Sequence, residues 1–167
     1  SIQSLRVVDR LEKEGKGLNL TYEVRDGILN HRTKGTPQTM EGKVVQLSDK
    51  IAYINHDIDD AIRAGILRPE AIPGDITEVI GNTGSSRIDS MVRNAVANSA
   101  GKNDILVSSE MKRLMADLRK FMFKNVYTDE RSEVEGFKVD NMIGSLYEFF
   151  IKNRHLMKKE FLNLIDE

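Results

Sequence analysis

Apolar residues recur every three or four positions along almost the whole of this chain, which is the spacing of helices that each bury one face. No segment shows the sustained apolar–polar alternation of a strand that is exposed on one side. The best candidate for a strand-like piece is the short apolar connector at residues 103–107. At 167 residues the chain is one domain's worth and can bury a sizeable core. We therefore predict an all-α fold.

The boundaries of the helices follow from glycine, proline and capping residues. The predicted helices cover residues 2–14, 21–31, 43–64, 75–80, 86–99, 109–126, 133–152 and 154–165. Gly15 and Gly65 supply the left-handed conformation that ends a helix, and Asp75 and Ser109 are the expected N-caps. Methionine and aromatic side chains of the last two helices are expected to lie in the core or at subunit contacts. These stripes consist of Met142, Ile143, Leu146, Tyr147, Phe149, Phe150, Met157, Phe161, Leu164 and Ile165.

The charge balance and the missing residue types exclude several classes of protein. With 25 basic and 26 acidic residues and a net charge of −1, the chain lacks the basic excess of a general nucleic-acid binder. Its basic clusters, such as Lys112 with Arg113 and Arg119 with Lys120, are interpreted as solvent-facing surfaces. There is no cysteine, which excludes disulfides and cysteine-based zinc sites and fits a reducing cytoplasm. No apolar run is long enough to cross a membrane.

The helix predicted over residues 43–64 has two opposed faces of different chemistry. On a helical wheel at about 100° per residue, the apolar arc consists of Leu47, Ile51, Ile54, Ile58 and Ile62. The opposite side carries Asp49, Tyr53, His56, Asp57 and Asp60, with Lys50 at its edge. A face that only meets solvent favours long helix formers such as glutamate and lysine, whereas short acids, an imidazole and a phenol are typical of metal, phosphate and sugar contacts. From the pattern alone, a solvent-facing stripe rich in aspartate stays an equal alternative.

Three segments of the first 65 residues carry recognisable motifs. Residues 49–57, DKIAYINHD, have the spacing D-K-x-x-Y-x-x-x-D. Residues 2–12 read IQSLRVVDRLE, and residues 17–28 read GLNLTYEVRDGI. In order and spacing, these segments resemble the last active-site helix, the QSLRVVxRLE helix and the GLNLTxEVxxGI segment of the deoxynucleoside triphosphate triphosphohydrolases. These enzymes belong to the His-Asp metal-dependent phosphohydrolase superfamily. The rest of the chain resembles the family only in being helical.

The resemblance implies the C-terminal portion of a longer enzyme, a multi-helix array truncated at its N-terminal side. The superfamily binds its metal through a His, an adjacent His-Asp pair and a later Asp. Here the histidines are His31, His56 and His155, and none has the upstream arrangement, so the missing ligands would precede the first residue. We expect residues 1–65 to be the C-terminal part of the catalytic core and residues 66–167 to be a helical region packed on it.

The resemblance also implies roles for individual residues. Asp49 would be the closing carboxylate of a divalent metal site, occupied by Mg²⁺, Mn²⁺ or a similar ion. Lys50 would place a compact ammonium at a phosphate oxygen, and Tyr53 and Asp57 would contact the sugar. A carboxylate at the 3′-hydroxyl, with a tyrosine ring filling the space at the 2′ position, selects deoxyribose by steric exclusion.

Four further polar residues lie near this predicted site in the sequence pattern. Arg87 and Arg93, on a polar helix face after a glycine-rich loop, could reach phosphates, and a structural salt bridge is an equal alternative for both. His56 and Asp60 share the polar face but have no role that we can assign. For these two a hydrogen bond to a metal-binding residue is favoured over ligation.

The leading hypothesis is a portion of a dNTP triphosphohydrolase, which releases a deoxynucleoside and inorganic triphosphate by attack of a metal-activated water at the α-phosphorus. Its partners would be deoxynucleoside triphosphates and further copies of itself, in the cytoplasm. With one metal carboxylate, this chain alone is expected to be inactive. Two alternatives stay open: a regulatory or oligomerisation domain that keeps a relic of the family helix, and another His-Asp enzyme such as a nucleotidase or a cyclic-nucleotide phosphodiesterase. Tyr53 and Asp57 favour the deoxynucleotide branch.

Overall fold

The protein is helical throughout the residues that the structure describes, 1–32, 34–128 and 130–162 of a computed structural model. The helices are α1 (Ile2–Arg6, continued by a π-helical turn at Val7–Leu11), α2 (Tyr22–Asn30), α3 (Met40–Arg63), α4 (Gly74–Ile80), α5 (Gly84–Ser99), α6 (Ser109–Met122, continued by a π-helical turn at Phe123–Tyr127), α7 (Glu130–Lys152) and α8 (Lys159–Leu162). Short 3-10 turns lie at Pro69–Ala71 and Arg154–Leu156. No strand occurs among the described residues, and the predicted all-α fold is confirmed.

Capping side chains set the starts of α3 and α6, and a proline precedes the start of α4, so several predicted boundaries shift. The hydroxyl of Thr39 accepts a hydrogen bond from the backbone N–H of Gly42 at 3.0 Å, so α3 begins before the predicted position. Ser108 caps α6, one residue before the expected cap. Helix α4 follows Pro73, and Asp75 therefore lies in its first turn instead of capping it. Side-chain acceptors for the first free N–H groups decide such starts.

The connector at residues 103–107 forms no strand. The hydroxyl of Ser99 accepts a hydrogen bond from the backbone N–H of Leu106 at 2.8 Å and lies 3.2 Å from the carbonyl oxygen of the same residue. Backbone groups need partners, and here a side chain of the preceding helix supplies them without a neighbouring strand.

The hydrophobic core lies between α3, α4, α5 and α6. Its buried side chains include Ile51, Ile54, Ile58, Ile76, Ile80, Met91, Met111, Leu114, Leu118 and Met122. The predicted apolar arc of α3 is confirmed, with its first and last members, Leu47 and Ile62, packed at the edge of this core. Because the core joins residues on both sides of residue 65, the later part of the chain fixes the position of α3. The domain division at residue 65 stays a prediction.

The loop after α2 is fixed to the N-terminal half of α3 by polar contacts. The buried carboxylate of Asp26 accepts a hydrogen bond from the backbone N–H of Gln38 at 2.8 Å. On α3, the side-chain amide nitrogen of Gln46 lies within 3.0 Å of three backbone carbonyl oxygens of the loop at residues 30–35. Gln46 precedes Lys50 by about one helical turn, so this loop borders the polar face of α3.

Helix α7 leaves a large apolar surface exposed. It packs mainly against the neighbouring turns at Phe123–Tyr127 and Arg154–Leu156. Its exposed apolar side chains are Val134, Phe137, Val139, Met142, Ile143, Leu146, Tyr147, Phe149 and Ile151. Of the two places predicted for this stripe, the core does not apply to these exposed side chains, and the subunit contact stays a prediction. Leu164 and Ile165 lie outside the described residues. No helix in the described part of the chain is long and apolar enough to cross a bilayer.

Candidate functional site

The polar face of α3 is open to solvent over most of its length. Asp49, His56 and Asp60 are exposed, and the side chain of Tyr53 is 44% exposed. Lys50 and Asp57 lie on the same face but are only partly exposed. Because the apolar arc of α3 is buried in the core, this polar face must point outward, and the structure brings the predicted residues together on one surface.

Helix α6 runs beside α3 in the same direction. Near the start of α3, the ammonium nitrogen Nζ of Lys43 lies 2.8 Å from the carboxylate oxygen Oδ1 of Asp104, which belongs to the connector that leads into α6. Further along both segments, the hydroxyl of Tyr127 donates a hydrogen bond to the carboxylate of Asp57. These two contacts place α6 along the polar face of α3, so the site has two walls from different parts of the chain.

Three side chains form a phenol–carboxylate cluster at one end of this surface: Tyr53, Asp57 and Tyr127. Partial burial raises the pKa of Tyr127, and its hydrogen bond to the Asp57 carboxylate and the nearby Tyr53 hydroxyl raise that pKa further. The Tyr127 hydroxyl is therefore a neutral donor at physiological pH. A neutral phenol held against a carboxylate fixes the orientation of that carboxylate without neutralising its charge.

A cation cluster of Lys50, Lys112 and Arg119 lies at the other end. Burial lowers the pKa of Lys50, and the positive charges of Lys112 and Arg119 lower it further, while Asp49 opposes the shift. Lys112 and Arg119 are seven residues apart, which places them within about 20° of each other on α6. The cations Lys112, Arg113, Arg119 and Lys120 are exposed, which agrees with their interpretation as solvent-facing. Two of them, Lys112 and Arg119, also contribute to the lowered pKa of Lys50.

An aromatic ladder connects the two clusters along α6. The guanidinium carbon of Arg119 lies 5.6 Å from the centre of the Phe123 ring. That ring meets the ring of Tyr127 edge to face, with 5.0 Å between the ring centres. Cation–π and edge-to-face contacts of this kind limit the rotamers of all three side chains. Arg119 and Tyr127 are thereby held on the same side of α6, toward α3.

Arg87 lies inside the fold, with a side chain that is 1% exposed. Its guanidinium donates hydrogen bonds to Asn55 Oδ1 at 2.8 Å, Asp59 Oδ1 at 2.9 Å and the Asn82 carbonyl oxygen at 3.2 Å. A Cβ atom at Gly84 would come within 2.3 Å of the Asp59 carboxylate, so glycine lets the start of α5 approach it. These contacts favour the structural alternative for Arg87.

The remaining predicted residues lie at the surface. Arg93 pairs with Asp89, one turn earlier on α5, at 2.7 Å, and both side chains are largely exposed. Asp60 pairs in the same way with Arg63 at 3.0 Å, and His56 is exposed beside it. No hydrogen bond or ion pair among the described residues joins these side chains to the two clusters. The Arg93–Asp89 pair favours the salt-bridge alternative for Arg93, and His56 and Asp60 stay without an assigned role.

Asp49 is the candidate metal ligand of this chain. Among the residues that the structure describes, no three histidine, cysteine, aspartate or glutamate side chains gather closely enough to hold a metal ion. Structural and catalytic metal sites in proteins use three or more such side chains or their oxygen equivalents. The described donor set therefore does not fit a complete metal centre, and Asp49 could contribute one ligand to it.

Sequence reasoning missed the wall that α6 provides. Lys112, Arg119 and Tyr127 lie more than fifty residues after the motif on α3, and only the packing of the helices brings them near it. One sequence signal could have indicated these residues. Lys112 and Arg119 are spaced by seven positions, and aromatic residues follow at the next two turns of the same helix face.

Comparisons with known proteins show what this chain is similar to. Residues 105–167 match the sequence model of the phosphohydrolase-associated domain. A deoxyguanosinetriphosphate triphosphohydrolase-like protein of Caldanaerobacter subterraneus subsp. tengcongensis is 49% identical over 166 residues, which are 99% of this chain and 49% of that protein. Proteins of the same name from Clostridium perfringens strain 13 and Clostridium tetani are 41% and 38% identical, and the matches cover 99% and 100% of this chain and 51% of each relative. The chain thus spans about half the length of the curated relatives that it matches.

The similarity extends over nearly the whole chain and is not confined to its first 65 residues. The expectation that the later part resembles the family only in being helical is therefore wrong. Helix α6, which forms the second wall of the site, lies inside the segment that matches the phosphohydrolase-associated domain. The chain is therefore similar over nearly its whole length to part of the deoxyguanosinetriphosphate triphosphohydrolase-like proteins, and over residues 105–167 to the phosphohydrolase-associated domain.

Proposed function

We propose that the protein carrying this chain hydrolyses deoxynucleoside triphosphates to a deoxynucleoside and inorganic triphosphate. The observation that carries the proposal is the pairing of two clusters on one surface, the cation cluster and the phenol–carboxylate cluster. One suits a polyphosphate and the other suits a hydroxyl-bearing ring, and a nucleoside triphosphate has both groups joined end to end. The names of the relatives point to the same class of substrate.

The cation cluster would bind the phosphates. The ammonium of Lys50 is a compact point charge, and the guanidinium of Arg119 can form two parallel hydrogen bonds to phosphate oxygens. Lys50 is partly buried, so its charge is less screened by solvent than that of an exposed lysine. Burial lowers the pKa of Lys50, and the charges of Lys112 and Arg119 lower it further. An anion bound between these residues would relieve their mutual repulsion.

The phenol–carboxylate cluster would bind the sugar. A carboxylate offers about four acceptor positions, so Asp57 can accept the Tyr127 hydroxyl and a sugar 3′-hydroxyl together. The ring of Tyr53, one turn before Asp57 and half exposed, would fill the space at the 2′ position. A 2′-hydroxyl would then meet this ring, and ribonucleotides would be excluded by shape.

We also propose that the metal centre is completed from outside this chain. Asp49 stays the predicted metal ligand, and the other ligands would come from the remainder of the protein. The described residues of this chain bind and orient the substrate, and we expect the chain alone to be inactive. The cytoplasmic location stays a prediction.

We further propose that the protein is a homo-oligomer with α7 at the contact between copies. A stable interface buries about 800 Å² on each partner, and large aromatic side chains alone bury about 150–250 Å² each. Exposed apolar side chains occur around most of α7, three of them aromatic and six aliphatic or methionine, with Phe137 and Tyr147 each 69% exposed. Contact with another copy would remove part of this apolar area from water.

Substituting Tyr53 tests the proposed substrate. In the metal-loaded, full-length protein, Tyr53→Ala should open the 2′ position and raise the kcat/KM for ribonucleotides relative to deoxynucleotides by about ten-fold or more. Steady-state turnover of matched dNTP and rNTP pairs measures this ratio. Tyr22→Ala, an exposed tyrosine on α2, serves as the control and should leave the ratio unchanged. Equal loss of activity on both sugars in Tyr53→Ala would show that Tyr53 packs the site without selecting the sugar.

A further inference from the structure

The two walls of the site present their groups in the same order. On α3 the order from the C-terminal end is Asp57, Tyr53 and Lys50, and on α6 it is Tyr127, Arg119 and Lys112. Because the helices run in the same direction, Lys112 lies at the end farthest from the phenol–carboxylate cluster. Seven residues of helix separate it from Arg119, which is about 10 Å along the axis.

We propose that Lys112 binds the terminal phosphate of a nucleoside triphosphate and so selects triphosphates over diphosphates and monophosphates. The inference rests on the proposed function, because the sugar at Tyr53 and Asp57 sets the position of the phosphate chain. The first phosphates then reach Lys50 and Arg119, and only the last extends to Lys112. A lysine, with its flexible stem and compact charge, suits an end group whose oxygens can rotate.

Other cations near this surface are less well placed. Lys43 is paired with Asp104 at 2.8 Å, and Lys120 is paired with Asp117 at 3.6 Å. Arg113 is adjacent to Lys112 in sequence, but it points about 100° away around α6. Lys112 is exposed. It lies within about 20° of Arg119 on α6, and the Lys43–Asp104 and Asp57–Tyr127 contacts place α6 along α3. Its ammonium can therefore meet the negatively charged terminal phosphate of a nucleotide bound along this surface.

Nucleotide binding under chelating conditions tests the proposal without turnover. The full-length protein would be titrated calorimetrically in EDTA with dGTP, dGDP and dGMP, as wild type, Lys112→Gln, Lys50→Gln and the control Arg113→Gln. We expect Lys112→Gln to weaken dGTP binding by about ten-fold, the loss of one charge-assisted contact, and to change the Kd of dGDP less than two-fold. Arg113→Gln should bind all three nucleotides as the wild type does.

The variants separate failure of this inference from failure of the proposed function. Suppose that Lys50→Gln lowers the affinity for all three nucleotides. If Lys112→Gln then binds dGTP with the wild-type affinity, or loses affinity for dGTP and dGDP equally, the assignment of Lys112 is wrong, while the proposed substrate site is retained. If Lys50→Gln binds every nucleotide as the wild type does, the surface is not the substrate site and both proposals fall. Because Lys112 is exposed, its substitution leaves the fold intact, and circular dichroism of the variant checks this.

Discussion

Two arginines that follow the same glycine-rich loop have opposite surroundings. The Arg87 side chain is buried among Asn55, Asp59 and the Asn82 carbonyl, whereas Arg93 pairs with a neighbouring aspartate in solvent. From the sequence, both were equal candidates for a phosphate contact, although six helical residues turn them about 120° apart. Arg87 lies one turn before the buried Met91 on the side of α5 that meets α3, where an amide and a carboxylate of α3 face it. The helical period could have indicated that the two arginines point in different directions, but not which polar groups of α3 would meet Arg87.

Replacing each arginine in turn should show which of the two stabilises the fold. Arg87→Ala leaves Asn55 without its buried donor and Asp59 without its cation, and we expect it to lower the free energy of unfolding by about 3 kcal/mol. Arg93→Ala removes an exposed pair and should leave that free energy close to the wild-type value. Urea unfolding followed by circular dichroism measures both. A costly Arg93→Ala together with a neutral Arg87→Ala would contradict the structural role of Arg87.

The residues of the α3 wall were predictable from the sequence, because a shared helix face requires only the helical period. Lys50, Tyr53 and Asp57 indeed lie on one open surface, and their roles toward substrate stay predictions. Tyr127 and Lys112 were not predictable in this way. Their place in the site depends on how α6 packs against α3, and a local pattern carries no information about contacts between distant segments.

At the scale of helices, the pairing of α3 with α6 defines the site. The buried leucines and methionines of α6 meet the isoleucines of α3 in the core, and polar contacts hold the two ends. The Lys43–Asp104 pair is the contact at the N-terminal end. The predicted helices themselves were largely confirmed, because caps and apolar periods are local features of the sequence. The parallel arrangement of α3 and α6 depends instead on the long connection through α4 and α5.

The Asp104 carboxylate should make this pairing sensitive to acid. Hydrogen bonds from the Lys43 ammonium and from the Ile105 backbone N–H lower the pKa of Asp104. A carboxylate with a lowered pKa stabilises the folded state above its ordinary pKa of about 4 and loses that effect as the pH falls through the lowered value. Asp104→Asn should therefore have a lower Tm than wild type at pH 7, by a small amount because the pair is partly exposed.

Thermal unfolding of both proteins between pH 7 and about pH 2 measures this difference. We expect the two Tm values to converge at the acid end, where Asp104 of the wild type is protonated. A difference in Tm that stays constant across the whole range would show that Asp104 acts through packing or its backbone hydrogen bond and not through its charge.

At the scale of the whole molecule, the environment of α7 is the feature that the sequence pattern could not decide. Its apolar stripe has the same spacing whether it faces a core or another subunit, so the pattern could not distinguish the two. Within the described chain the stripe lies at the surface. An isolated helix with so much exposed apolar area gains little from its own chain, and contact with a second copy would cover it.

A charge in the middle of this stripe should disrupt the proposed contact. We expect the wild type to have the mass of an oligomer in light scattering at micromolar concentration. Ile143→Glu should shift it toward the monomer, because a carboxylate buried in an apolar contact is costly. Asn141→Asp adds the same charge on the polar face of α7 and should leave the mass unchanged. A wild type that stays monomeric, or an Ile143→Glu variant with the oligomeric mass, would contradict the proposal.

The two walls of the site are seventy residues apart in the chain at their Asp57–Tyr127 contact. The site therefore exists only after α4 and α5 have brought α6 back onto α3, and an unfolded chain offers no equivalent surface. A ligand that spans both walls binds the native state alone, and such binding shifts the folding equilibrium in proportion to the logarithm of ligand concentration. Under the proposed function, the cellular pool of deoxynucleotides is then both the material that the protein consumes and a determinant of its lifetime. When that pool is depleted, more chains open and become accessible to proteases.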